Sequence, residues 1–197
     1  MSFARFFSII THPVLMPFLC FYISIQVIPN SLSEDLLFIY LTFFLFSIFL
    51  PSLTTFLLFK KGKINSLEMD VSKERTIPLI INAVFLFFAY TMLSPFINTV
   101  PLLKAQILGV IIIMVITSFI SRFWKISLHM IGVGGLIGAL LAMQYFYQGS
   151  LYLILISVFL SIVIALARIK EKSHSYPQLY AGLFLGVFLE SLIMILY

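Results

Sequence analysis

The chain alternates long apolar runs with short polar interruptions. A helix needs about 20 apolar residues to cross the hydrocarbon core of a bilayer. Six runs come close to that length: 36–59, 76–94, 105–121, 126–147, 150–167 and 178–197. A seventh run, 13–28, is shorter and carries Pro13 and Pro17, so it either crosses or turns back part-way. The pattern predicts an all-α, polytopic transmembrane helical bundle of about seven spans, with six as the alternative. The interruptions are short, so residues 1–197 form a single integral membrane domain without a soluble part. The opening stretch "MSFARFFSII" lacks a small-residue cleavage pattern and reads as an interfacial lead-in rather than a removed signal.

Composition agrees with the pattern. The chain is 62% hydrophobic and 10% charged, whereas a soluble domain is about half apolar and a quarter charged. The one cysteine, Cys20, excludes a disulfide framework.

The placement of charge says more than its sum. Alternating seven spans puts Arg5, Lys60, Lys61, Lys63, Lys73, Arg75, Arg122, Lys125, Arg168, Lys170 and Lys172 on one side of the membrane. Lys104, with Glu34 and Asp35, falls on the other. Eleven cations against one predicts that the rich side is cytoplasmic. His12, His129 and His174 all fall on the rich side, although hydropathy alone defines the spans. That coincidence points to a site.

Three stretches there hold reactive or charged groups. In "ARIKEKSHSYPQLYAGLFLG", Arg168 closes a span, His174 follows six residues later and Gln178 four after that. A helix starting near His174 puts 174 and 178 on one face. Pro177 suits its first turn, and the Gln178 carbonyl would then hold the imidazole in one tautomer. The plain alternative is a basic loop with a solvated histidine. In "WKISLHMIGVGG", Lys125, Ser127 and His129 precede a span whose Gly132, Gly134, Gly135 and Gly138 read as helix-packing surface. In "MDVSKERTIP", Asp70, Lys73, Glu74 and Arg75 stand just before a span, where such charges are also ordinary membrane anchors.

Together these stretches resemble the type 2 phosphatidic acid phosphatase superfamily of membrane lipid phosphatases. Its third signature is Ser-Arg, five residues, His, three residues, Asp, then Ala-Gly. Here Arg168 and His174 keep the spacing, Gln178 stands at the Asp position, and Ala181-Gly182 follow. Its second signature, Pro-Ser-Gly-His, is half kept as Ser127 and His129, with Ile126 and Leu128 in the other places. Its first, a lysine and an arginine followed by proline, is represented loosely by Lys73, Arg75 and Pro78. The resemblance covers about residues 69–186.

It implies a metal-independent phosphatase acting on a lipid phosphate or diphosphate, such as phosphatidate, phosphatidylglycerol phosphate or undecaprenyl diphosphate, in a bacterial inner membrane. By analogy His174 attacks phosphorus, His129 protonates the leaving alkoxide, Gln178 orients His174, and Arg75 and Arg168 hold the phosphoryl oxygens, with Lys73, Lys125 and Ser127 assisting. No cofactor is expected. The expected partners are the lipid phosphate and membrane lipids, not nucleic acid. Three other classes fit parts of the sequence. An intramembrane prenyltransferase would need a fuller acidic cluster than Glu68 and Asp70. A histidine metal site would need carboxylate or cysteine partners. A non-catalytic lipid-binding or transport protein on a decayed phosphatase scaffold fits the loss of the Asp. For such a transporter Glu190 is a candidate carboxylate, although a residue there more often reaches the far interface or pairs within the bundle.

Overall fold

The computed structural model describes residues 11–28 and 35–197. The opening stretch, with Arg5, and residue Glu34 lie outside the described residues. The described chain is helical: α1 (Met16–Val27), α2 (Leu36–Lys60), α3 (Thr76–Leu93), α4 (Pro101–Ser121), α5 (Leu128–Tyr147), α6 (Leu151–Lys170) and α7 (Tyr176–Leu196). A short 3₁₀ turn, Ser72–Arg75, leads into α3. Six of these helices, α2 to α7, are long and apolar enough to span a membrane. The chain is an integral multi-pass membrane protein.

The seventh apolar run forms α1, whose 12 residues reach about 18 Å at 1.5 Å per residue. That is short of the roughly 30 Å hydrocarbon core. It nevertheless runs from one end of the bundle toward the other. His12 and Pro13, just before it, line a cavity with His129, while Gln26, near its end, donates to Tyr40 Oη at 3.0 Å. The fourth helix starts at Pro101, four residues earlier than hydropathy suggests, because Pro suits a first turn where no N–H is needed. Lys104 therefore lies inside a helix, where its ammonium donates to Asn98 Oδ1 at 2.7 Å.

The central element is α5. Of its apolar window 61% is buried, against 28% for α2, α6 and α7. It packs closely on α7 along a seam of small residues. A Cβ on Gly138 would stand 2.6 Å from the Val187 carbonyl oxygen, and one on Gly182 2.7 Å from that of Ser127. Only hydrogen at these positions lets the backbones approach so closely. The seam carries a cross-link, since Ser127 N–H donates to the Gln178 carbonyl at 3.3 Å.

Alternation of the helices gathers the charged ends. Lys60, Lys61, Lys63, Lys73, Arg75, Arg122, Lys125, Arg168, Lys170 and Lys172 lie at the end of the bundle where α2, α4 and α6 finish and α3, α5 and α7 begin. Lys104 is the one described lysine or arginine at the other end, where Tyr90 and Tyr197 hydroxyls meet at 3.4 Å.

Candidate functional site

At the cation-rich end the helices part around a cavity of about 690 Å³, within the size range of small-molecule sites. His12, Arg75, His129, Arg168 and His174 line it, with Glu68, Asp70 and Glu171.

The turn between α6 and α7 presents His174. Helix α6 ends with Ser173 N–H on the Arg168 carbonyl at 3.1 Å and Lys172 N–H on that of Ile169 at 2.9 Å. That is a Schellman closure, and it needs a left-handed residue between the two bonds. Lys172 takes that role with φ 53°, a conformation that costs a residue with a Cβ about 1–2 kcal/mol. The same closure at the end of α2 uses Gly62, with φ 65°. The chain thus reverses at once after Arg168 and places His174 over the cavity, 8% exposed.

Helix α7 then fixes the imidazole. Ser175 is its N-cap and Gln178 its third residue. Ser175 N–H donates to Gln178 Oε1 at 3.1 Å, which closes a capping box. A backbone N–H requires an acceptor, so it is the oxygen of the Gln178 amide that points inward. His174 Nδ1 lies 3.1 Å from the same oxygen. It therefore carries the proton, and Nε2 is left with a lone pair. Burial pushes the His174 pKa down to about 4, with Arg75, Arg168 and Lys125 adding to the fall against the opposing Gln178 bond. The ring is neutral at pH 7.

Arg75 is 4% exposed and holds two loops together. Its Nε donates to the Met69 carbonyl at 2.9 Å and its Nη1 to that of Ile126 at 3.1 Å. The guanidinium has five N–H donors, so these bonds leave donors for the cavity. Arg168 Nη1 donates to Glu171 Oε2 at 2.7 Å. The 69–75 loop is steadied further from Asn65, whose N–H and side-chain amide both donate to the Glu74 carboxylate.

The remaining predicted residues are distributed unevenly. His129 sits in the first turn of α5 and lines the cavity. Lys125 is not part of the lining but pairs at 3.6 Å with Asp70, which is. Lys73 is exposed and stands off the lining. Ser127 is fully buried in the seam between α5 and α7, and its Oγ has no hydrogen-bond partner among the described residues. It stitches helices rather than facing the cavity.

His12 is the residue that sequence reasoning left without a role. Its ring stands edge-on to that of His129 with centroids 6.2 Å apart. Val14 N–H donates to His12 Nδ1 at 3.3 Å, so the proton sits on Nε2. Burial, with Arg168 behind it, lowers its pKa against a smaller opposing effect of Glu68. His12 therefore presents a donor where His174 presents a lone pair. The α2 residues Ser47, Thr55 and Phe56 and the α3 residue Asn82 also line the cavity. The site thus draws on chain outside 69–186.

Glu190 belongs to a different place. It is fully buried in α7 and reaches no interface. Neither oxygen has a hydrogen-bond partner among the described residues. Its carboxyl lies against Gly109 of α4, beside a small cavity of about 80 Å³ lined also by Cys20 and Thr117. Among the described residues no group of three or more His, Cys, Asp or Glu converges as a metal site. No protein-family model, curated protein or solved structure matches the chain.

Proposed function

We propose that the protein is a membrane lipid phosphatase that cleaves a lipid phosphate ester through a phosphohistidine on His174. One observation carries the reading. His174 is neutral, its Nδ1–H is tied to Gln178, and its Nε2 lone pair is left for a cavity that Arg75 and Arg168 also line. A nucleophilic imidazole needs a free lone pair at neutral pH, and a transferring phosphoryl group needs fixed cations on its oxygens. The resemblance to the type 2 phosphatidic acid phosphatases, through Arg168, His174, Ala181 and Gly182, supports the same assignment.

In the first step Nε2 of His174 forms a bond to phosphorus and the phosphorus–alkoxide bond breaks. Protonated His129 gives its proton to the departing alkoxide, which otherwise leaves poorly. Arg75 and Arg168 neutralise the oxygens, and His12 Nε2–H donates to one of them. In the second step water attacks phosphorus, its proton passes to His129, and the nitrogen–phosphorus bond breaks to release phosphate. Gln178 keeps the proton on Nδ1 throughout. The cation-rich end, and with it the site, faces the cytoplasm in this reading.

The test is phosphate release by the purified protein in detergent across a panel of lipid phosphates, with His174→Ala alongside. Release by the wild type and none by the variant is the expected result. Equal release by both removes His174 from the chemistry. Chelation is expected to leave the rate unchanged, and a strict magnesium requirement would contradict the mechanism.

A further inference from the structure

The glycines of α5 do not all serve the seam with α7. A Cβ on Gly134 or Gly138 would run into backbone oxygens of α7, at 2.5 Å and 2.6 Å. A Cβ on Gly135 would meet nothing within 4 Å. Gly135 is half-buried, although Gly134 and Leu136 on either side of it are buried. It opens on the small cavity of about 80 Å³ beside Glu190.

Three elements line that cavity in one direction. From the cation-rich end inward, its wall runs from Leu128 to Leu136 on α5, from Thr117 to Val110 on α4, and from Pro13 to Cys20 at the start of α1. Leu136 lies eight residues beyond Leu128, so the cavity is about 12 Å long. A space of about 80 Å³ drawn out over that length is a narrow slot. The polar side chains of its wall are enclosed: Thr117 and Glu190 are buried, and Cys20 Sγ accepts from Gln106 Nε2 at 2.8 Å. The surface left open is hydrocarbon, from residues such as Ile113 and Met114. The slot also adjoins the larger cavity. Pro13, Leu79, Met114 and Leu128 line both, and all four are only half-buried.

We infer that the slot takes the end of one hydrocarbon chain of the lipid whose anionic head lies at His174, and that Gly135 keeps it open. On the reading of that cavity as a phosphate site, on which this rests, Gly135 decides which chain fits. The gain is not hydrophobic, because a chain leaving the bilayer is already in hydrocarbon. It is contact: a chain that fills the slot meets wall atoms on every side, and a gap forfeits that attraction.

A decylphosphonate with a diazirine at the far end of its chain reads the slot, with decanol carrying the same group as comparison. Purified protein is irradiated with each, and the labelled residues are mapped by mass spectrometry. The phosphonate is expected to label slot residues such as Met16 and Ile131 in the wild type about fivefold more than the alcohol does, because a held head raises the local concentration of its tail. Gly135→Leu is expected to fill the slot and cut that label about tenfold. Gly135→Ala should give an intermediate loss and melt no lower than the wild type, since its methyl meets nothing within 4 Å. It carries the test if the leucine variant does not fold. Label confined to outward-facing residues such as Val115 and Phe119, equal slot label from alcohol and phosphonate, or slot label that neither variant reduces overturns the slot. Phosphate release from the lipid panel is read separately. Slot label without release keeps the slot and removes the phosphatase, whereas release without slot label keeps the phosphatase and removes the slot.

Discussion

The amide oxygen of Gln178 stands 3.1 Å from Nδ1 of His174, across the first turn of α7. A carboxylate at that place would favour the imidazolium, whereas a neutral amide oxygen orients the ring without charging it. The site is therefore built around a histidine that is neutral well below the usual imidazole range.

The acid limb of the activity profile follows from this. With His174 at about 4, kcat/KM is expected to hold as pH falls through 6.5 and to decline only near pH 4. Stability shows the same window. Below pH 6.5 the unfolded chain binds a proton at His174 that the folded chain refuses until about pH 4. Its contribution is complete above 6.5 and is lost progressively toward 4. His12, also lowered, acts in the same direction. Melting temperature against pH checks this, and His174→Ala should flatten the slope.

Gln178→Asp places a carboxylate beside His174, where the phosphatases that the sequence resembles carry an Asp. The His174 pKa should rise, moving the acid limb of kcat/KM upward by at least one pH unit, while activity persists or increases. A collapse of activity with the limb unmoved would show that Gln178 does not act through His174.

Gly182→Ala tests the seam. The new methyl would stand 2.7 Å from the Ser127 carbonyl oxygen, so α7 must shift off α5. A loss of about 1–3 kcal/mol is expected, read as a lower melting temperature in detergent. Because Gln178 lies one turn from Gly182, activity should fall more than that of an equally destabilised variant at the far end of the bundle.

The spans were legible in the sequence because lipid leaves few options: a run of apolar residues must form a helix. The start of α4 at Pro101 is not legible in the sequence, because Lys104 reads as a loop residue and its bond to Asn98 lies outside hydropathy. The pairing of His174 with Gln178 was legible because four residues make one helical turn. The buried placement of Ser127 was not, since nothing local says that its hydroxyl enters a helix seam rather than the cavity. Asn82 and Ser47 were invisible for a related reason. Each is a lone polar residue in an apolar run, and only packing shows which of them faces an open space.

Sidedness has its own measurement. A reporter active only outside the cytoplasm is expected to be active when fused after Tyr197 and silent when placed near Lys63. The reverse pattern would assign the cations to phosphate binding alone and put the site on the outer face.

A phosphatase that works through His174 passes through a covalent bond between phosphorus and that residue. Purified protein mixed with a radiolabelled lipid phosphate and quenched in alkali within one turnover tests it. The expected result is a protein-bound phosphoryl group that survives alkali, is released by acid, and maps by mass spectrometry to His174. It should be absent in His174→Ala and should persist longer in His129→Ala, whose water attack lacks a base. Turnover with no such adduct in the wild type, or an adduct on any other residue, would contradict the account.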